Sequence, residues 1–412
     1  MKVIVVGAGL GGLACAIACR RANLDVTVLE KSPEISPIGA GIQIPPNGAR
    51  IMDELCLLPE LLEKGTVVET IDIRRYADGK IITSMPSGEI LIPEYGAPWI
   101  IIHRADYHEI LLARAKALGA KIRLSATVKD VVYESPQVIL AGGERIAGDV
   151  IIGADGLGST IRNCILGEEH PPDETGDLAY RGTFSREQLE SLADTDINHL
   201  CARMAITSWL GPKKHAVFYP LRGGKEYNLV LIRPDDMPLG VHNAWSDLVE
   251  VQHAYKGWDR TTWTKGSVTL LGDACHPTLP YQAQGAAMAV EDGAVLGILL
   301  DAVASRSASG SSETMGWEIQ KALQLYEAIR RPRTAQNVQG AVRNRGLFHL
   351  DDGALQWLRD LLLKISGMTW ETDWGFIMSY RYRQMIGFDV LQDAEARISG
   401  LRKGKEMHSH QE

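Results

Sequence analysis

Val3-Ile4-Val5-Val6 is an unbroken β-branched run near the start of the chain, the pattern of a strand buried on both faces. It leads into Gly7-Ala8-Gly9-Leu10-Gly11-Gly12, an Ala-rich stretch of helical character to about Ala22, and a second apolar run from Asp25 to Leu29 closed by Glu30. Strand, crossover helix and strand of this length predict a right-handed parallel βαβ unit. The following Gly- and Pro-rich stretch, Ser32 to Asn47, contains Gly39-Ala40-Gly41 and Pro45-Pro46. A loop that long inside a compact domain is usually functional.

Downstream the period changes several times. Thr70 to Tyr76, Ile81 to Ser84 and Glu89 to Pro93 read as strands, Arg104 to Leu118 as a helix, and Lys121 to Leu124, Thr127 to Tyr133, Gln137 to Leu140 and Asp149 to Gly153 as strands again. Gly142-Gly143 marks a hairpin turn. Alternation dominates from about Leu178 to Trp258, as in Ala216 to Tyr219 and Tyr227 to Ile232, with a helix expected from Trp245 to Trp258. Helical spacing returns over Gly285 to Ser305 and Trp317 to Asn344, the latter containing Arg330-Arg331-Pro332-Arg333, and the last seventy residues are helical and amphipathic.

Composition narrows the class. With 412 residues, 45% apolar and 23% charged, the chain is ordinary globular material too long for one small core. Its net charge is −8 and its basic residues are scattered, which argues against a nucleic-acid partner. Six dispersed cysteines form no C-x-x-C pair, so neither a disulfide framework nor a metal site is expected. The apolar runs fall short of a membrane span, and the N-terminus lacks a signal-peptide pattern, so a cytoplasmic protein is expected.

In the glycine stretch, Gly7 permits a tight turn, Gly9 lets backbone approach a pyrophosphate and Gly12 permits close helix packing, while the helix N-terminus faces the phosphates. Glu30, eighteen residues beyond Gly12, stands where an acid accepts hydrogen bonds from a ribose. These features predict a dinucleotide site without saying which dinucleotide. Two later segments, Gly153-Ala154-Asp155-Gly156-Leu157-Gly158 and Leu271-Gly272-Asp273-Ala274-Cys275-His276-Pro277, place carboxylates among glycines, where they can accept hydrogen bonds from a ligand hydroxyl.

With the N-terminal glycines, these segments resemble in order and spacing the three fingerprints of the single-component FAD-dependent aromatic hydroxylases, the group containing salicylate hydroxylase and para-hydroxybenzoate hydroxylase. The resemblance implies an α/β fold: a Rossmann-like FAD-binding domain of the glutathione-reductase type (1–72, 98–177 and 266–340), an inserted β-sheet substrate domain (73–97 and 178–265) and a helical C-terminal region (341–412). It implies that Asp155 supports FAD and nicotinamide use, that Asp273 binds the ribityl chain, that Arg104 reaches the cofactor and that Gly41 borders the flavin. Pro280 to Asp292 resembles the family's next segment. A helix starting near Gly285 would aim the Gly285 and Ala286 N–H groups at the pyrimidine edge of the flavin.

On the strand around 215–219, His215 and Tyr219 share a face. His215 is the natural base for a phenolic proton, Tyr219 can orient a substrate oxygen, and Arg181 in Tyr180-Arg181-Gly182 can hold a carboxylate or phenolate. In the resembling enzymes this stretch borders the substrate. The resemblance therefore implies a monooxygenase that uses NADPH or NADH and dioxygen to hydroxylate a small phenolic or related aromatic through a flavin hydroperoxide, working as a monomer or homodimer. One feature departs from the pattern: only Asp259 to Gly266 separate the expected helix Trp245 to Trp258 from the strand Ser267 to Leu271, where relatives are longer. The same flavin machinery also serves an epoxidase of an indole or isoprenoid alkene, which stays open as an alternative, and the shortening keeps open a flavin-binding variant without turnover.

Overall fold

The computed structural model describes residues 1–35, 40–169, 177–234, 262–306, 312–368 and 383–398. A six-stranded sheet runs in the order Lys121–Arg123, Asp25–Leu29, Lys2–Val6, Val150–Gly153, Val268–Leu270, Thr264–Lys265. All neighbours are parallel except the last pair, an antiparallel hairpin turned by Gly266 at φ +60°. Because the chain moves from its first strand to one side and later to the other, the order reverses between Lys2–Val6 and Val150–Gly153. The carboxyl ends of those strands form the crevice in which doubly wound sheets bind ligands.

Against this sheet pack the helices Leu10–Arg21 and Gly285–Arg306. Their approach depends on absent side chains. A Cβ at Gly293 would lie 2.6 Å from the Cys15 nitrogen, one at Gly297 2.6 Å from the Ala18 Cβ, and one at Gly11 2.9 Å from the Ala289 Cβ. The first strand and both helices are buried almost throughout and anchor the main apolar core.

A second six-stranded sheet runs Asp177–Ser185, Glu226–Pro234, Lys214–Leu221, Ala205–Gly211, Thr70–Arg75, Ile81–Pro86, antiparallel except where Ala205–Gly211 meets Thr70–Arg75. Two of its strands come from the early excursion, so the chain leaves the first sheet, contributes two strands elsewhere and returns. Thr70–Arg75 spans the boundary expected at residue 72, and Thr264–Lys265 completes the first sheet. Smaller three-stranded sheets join Gly41–Ile44, Ile100–His103 and Thr66–Val67, and Val128–Val132, Gln137–Leu140 and Arg145–Ala147.

The strand expected over Glu89 to Pro93 is instead a 3₁₀ turn, Gly88–Leu91, running into the short helix Ile92–Tyr95. Gly88 at φ +72° breaks the extended run, and Pro93 fits a first helical turn, where its missing N–H costs nothing. The expected helix Trp245 to Trp258, residues 259–261 of the shortened connection and Gly39 lie outside the described residues. The C-terminal region contains the helix Ala354–Met368 and helical residues at 383–387 and 390–398. No helix among the described residues is long and apolar enough to cross a membrane.

Candidate active site

The glycine turn at the end of the first strand is shaped by backbone on two sides. Gly7 has φ +107°, and a Cβ there would sit 2.4 Å from the Ala154 carbonyl oxygen; one on Gly12 would sit 2.1 Å from the Gly7 oxygen. Gly9, by contrast, faces open space and stands at the N-terminus of Leu10–Arg21 with no side-chain cap. Two positions are glycine so that the chain can fold, and the third leaves helix N–H groups accessible.

Glu30 accepts hydrogen bonds from the backbone nitrogens of Ala8 (2.8 Å) and Ser32 (3.0 Å). Burial pushes its pKa up, but those N–H groups outweigh it and hold the carboxylate below its usual range. His108 lies 2.6 Å from the Ala8 oxygen and braces the turn from the helix Arg104–Ala117. Nothing in the sequence singled out His108.

Across the crevice, Asp155 accepts from the Ser159 hydroxyl and from the Ile161 nitrogen (3.1 Å), tying its loop to the start of the helix Thr160–Leu166. Burial nevertheless raises its pKa. Asp273 is exposed to solvent, yet desolvation by the walls around it raises its pKa, opposed by the charges of His276 and Arg104. A solvent-reached carboxylate surrounded by protein sits low in a cleft. Arg104 is also exposed, and its side chain makes no ion pair among the described residues. Gly285 and Ala286 open a 22-residue helix, and Met288 is the first residue to bond back, to the Gln284 oxygen, so both N–H groups lack helical partners.

The second sheet presents one face to this crevice. Register places Arg181 opposite Val230 and Val230 opposite Val217, with Asn228 opposite Tyr219 on one side and Ile232 opposite His215 on the other. Tyr180 and Leu231, on the opposite face, are 40% and 42% exposed, which identifies that side as outer. On the inner face His215, Ile232, Tyr219 and Asn228 are buried while Val217 and Val230 are only half-buried and Arg181 is exposed. The face is therefore an apolar floor left open between two closed ends, edged by a guanidinium that has no ion pair among the described residues.

The closed ends differ. Tyr219 donates its hydroxyl proton to the Gly41 carbonyl (2.9 Å), and a Cβ on Gly41 would lie 2.4 Å from the Tyr219 ring. Asn228 accepts from the Gly41 nitrogen (3.3 Å) and leaves its own buried amide nitrogen unpartnered. Burial pushes the Tyr219 pKa well up, with the Arg181 charge pulling the other way, so the cation is within electrostatic reach. At the other end, His215 Nδ1 lies 2.8 Å from His349 Nε2, and the rings of Tyr281 and Phe348 pack on it at 5.1 and 5.8 Å. Thus His215 and Tyr219 share a face, as their spacing predicts, but occupy opposite ends of it.

One family, described as FAD binding domain, matches residues 1–218 and 246–341. An FAD-dependent monooxygenase of Beauveria bassiana is 37% identical over 389 residues, covering 87% of this chain and 88% of that protein. The chain is an FAD-dependent monooxygenase. Another relative, the 3-hydroxybenzoate 6-hydroxylase of Polaromonas naphthalenivorans, is 32% identical over 391 residues, covering 88% of this chain and 92% of that one. Among solved structures, Klebsiella pneumoniae HpxO complexed with FAD and uric acid superposes with a TM-score of 0.71 at 25% identity, over 94% of this chain and 96% of that one. A salicylate hydroxylase substrate complex shares the fold at a TM-score of 0.69 and 20% identity, over 94% and 98% of the two chains.

The crevice of this monooxygenase fits FAD on its own evidence: a tight turn that only glycine permits at Gly7 and Gly12, open space at Gly9 in front of a helix N-terminus, and N–H groups without helical partners at Gly285 and Ala286. Beneath it lies an ionic hub the sequence reading missed. Asp292 accepts from Arg330 Nε (2.7 Å), His276 Nε2 (2.6 Å) and the Gly272 nitrogen (2.9 Å), while Glu291 forms an ion pair with Arg330 (2.6 Å) and accepts from Asn47 (2.7 Å). Glu291, Asp292 and Arg330 are fully buried, and the opposed charges hold both carboxylates low and the guanidinium high against desolvation. The hub ties the Gly272–Ala274 turn, the helix Gly285–Arg306 and the long helix Ser312–Phe348 into one unit. Adjacent acids inside an otherwise apolar helix were the available signal. Cys275, His276 and Asp292 bring ligand atoms within 4.8 Å of one another, but Arg330 already supplies the cation there.

Proposed function

We propose that this monooxygenase hydroxylates a small phenolic or related aromatic acid, held on the inner face of the second sheet, at the expense of NADPH or NADH and dioxygen. The supporting observation is the floor of Val217 and Val230, open between closed ends and edged by Arg181, which is exposed and has no ion pair among the described residues. Ala283, just before the helix that starts at Gly285, packs in the same apolar cluster as those two valines, so the floor adjoins the cofactor crevice. The named substrates of two relatives, 3-hydroxybenzoate and 3-amino-4-hydroxybenzoate, have the matching chemistry of a flat ring bearing a carboxylate and a hydroxyl.

Bound FAD supplies the redox and oxygen chemistry; the chain positions, shields and moves protons. In this reading Gly7, Gly9 and Gly12 hold the pyrophosphate, Glu30 the ribose, and Arg104 and Asp273 the phosphate and ribityl oxygens. Asp155 sets the loop beside them, Gly41 borders the flavin, and the Gly285 and Ala286 N–H groups face the ring edge where negative charge develops. Arg181 grips the substrate carboxylate or its developing phenolate. His215 receives the phenolic proton. Tyr219 has given its only proton to Gly41, so toward a substrate hydroxyl it acts as acceptor through its remaining lone pair. In this reading the expected segments 1–72, 98–177 and 266–340 form the cofactor domain and 73–97 and 178–265 the substrate domain, with the edges moved so that Thr70–Arg75 and Asp177 go with the second sheet and Thr264–Lys265 with the first. The protein works in the cytoplasm as a monomer or homodimer.

The test is a visible spectrum followed by NAD(P)H oxidation with a panel of hydroxybenzoates, uncharged phenols and indoles, scoring hydroxylated product against hydrogen peroxide. Stimulation by hydroxybenzoates with coupled product is the expected result, and Arg181→Ala should raise KM for them about tenfold, some 1.4 kcal/mol, while sparing uncharged phenols. Equal turnover of indoles by wild type and Arg181→Ala would favour epoxidation instead. A flavin spectrum with no turnover of any compound would favour a binding protein without catalysis.

A further inference from the structure

His215 stands in an awkward position for a base. It is 7% exposed, and burial together with the neighbouring His349 pushes its pKa down to about 3, so it cannot hold a proton at neutral pH. Yet it is not isolated. Its Nδ1 meets His349 Nε2 at 2.8 Å, and its Nε2 has no partner among the described residues. His349 is only half-buried, and its Nδ1 likewise has no partner among the described residues. Neither of these two nitrogens is among the fully enclosed polar atoms that lack a partner, so each ring keeps one nitrogen open, with a direct hydrogen bond between the rings.

The surroundings suit passage of a charge. His349 follows the last residue of the helix Ser312–Phe348, and its nitrogen bonds the Arg345 oxygen, so it sits at the negative end of that helix. The strand turn grips it from the other side, Lys213 donating its backbone N–H to the His349 oxygen (3.1 Å). The charged groups facing the pair are already matched: Arg345 with Asp177 at 3.2 Å, and Arg75, on the same sheet face, with Asp360 at 2.9 Å. Exposed Lys213 and Lys214 lie next to His215 on its own strand. Tyr281, whose ring packs on both histidines, donates its hydroxyl to Asp177 and holds no free proton toward the pair.

We propose that His349 is the outlet of a two-imidazole relay that takes the phenolic proton from His215 to solvent. The proposal rests on the phenolic reading of the site. In the starting state His215 Nδ1–H donates to His349 Nε2 and His349 carries its other proton on Nδ1. The substrate O–H bond breaks as its proton bonds to His215 Nε2. The proton on His215 Nδ1 passes to His349 Nε2, and the proton on His349 Nδ1 leaves to water. One proton has moved from substrate to solvent, and both rings end neutral in their other tautomers. A burial that forbids a lasting imidazolium does not forbid this transfer, because no charge stays on the buried ring. His349 acts through His215 and is in that sense a positioning residue.

Two measurements on the FAD-loaded protein test the relay. The first needs no substrate: with ¹⁵N-labelled histidine, a coupling across the N–H···N bond between one Nδ1 and one Nε2 is expected, and its absence would overturn the proposal outright. The second mixes the protein at pH 6 with 4-nitrophenol, whose phenolate absorbance reports ionisation directly. Wild type should ionise the bound phenol, His349→Gln should bind it within twofold but ionise it at least tenfold more slowly, and added imidazole should restore part of the rate. Equal rates in the two proteins, or bound 4-nitrophenol that stays protonated in wild type, would refute the relay and leave the phenol site standing. Failure of 4-nitrophenol to bind wild type would remove the phenolic reading, and the relay with it.

Discussion

In the proposed reading, the cofactor end of this protein offers a ligand surface made of backbone and the substrate end one made of side chains. Gly7, Gly9 and Gly12 work by having nothing beyond Cα, and the helix starting at Gly285 offers N–H groups that any residue would carry. On the inner face of the second sheet, Arg181, His215, Tyr219 and Asn228 come from three strands and meet through register alone. A backbone-built site is damaged by adding atoms and indifferent to most exchanges around it. A side-chain-built site can be retuned one residue at a time, which suits a family with one cofactor and many substrates.

The contrast is sharpest where it can be broken. Arg330→Met takes the shared cation from buried Glu291 and Asp292, leaving Glu291 with Arg333 at 3.5 Å and Asp292 with His276 at 2.6 Å, and should cost about 3–5 kcal/mol in urea unfolding and release FAD. A loss near zero would mean the hub is decorative. Gly12→Ala drives a methyl to within 2.1 Å of the Gly7 oxygen; it should cost about 1–3 kcal/mol and lower the FAD-to-protein ratio at least tenfold. Full flavin content in this variant would contradict the backbone-built reading.

Acid should expose the substrate end. Below pH 6.5 the unfolded chain protonates the histidines that become His215 and His349, whereas the folded pKa values lie near 3 and 4. The folded state therefore loses stability as pH falls from 6.5 toward those values, by about 1 kcal/mol for His215 at pH 5.5 and less for the half-buried His349. The double change His215→Gln, His349→Gln should flatten that slope in pH-dependent thermal melts. Smallest of all, Tyr219→Phe removes one hydrogen bond to Gly41 and should cost about 1 kcal/mol while leaving FAD stoichiometric, read from the ratio of flavin to protein absorbance. If flavin content falls with it, the two ends are not separable.

This asymmetry also explains what could be read from the sequence. The βαβ unit, the order of the glycine and aspartate segments and the flavin-facing helix are local patterns, visible in a window of some thirty residues. The shared face of His215 and Tyr219 is equally local, being a matter of strand period. Their separate surroundings are not, since His349 lies 134 residues away and Gly41 178 residues away from their partners. Glu291 and Asp292 close the segment Pro280 to Asp292, whose resemblance draws attention to the helix start at Gly285, and Arg330 lies in a run whose visible feature is basic charge. Only the fold shows that all three are buried together. Glu89 to Pro93 misled because alternation over five residues cannot distinguish a strand from a proline-started turn.

Gly41 has a consequence for how such enzymes diversify. Its carbonyl is held by Tyr219 and its N–H by Asn228, so both backbone groups of one residue, proposed to border the cofactor, are tied to the second sheet. A chimera that exchanges the strands Lys214–Leu221 and Glu226–Pro234 for those of a relative therefore inherits an unmatched seam unless the strand Gly41–Ile44 travels with them. The modular unit for transplanting specificity is discontinuous in the chain, and its smallest part is a single glycine.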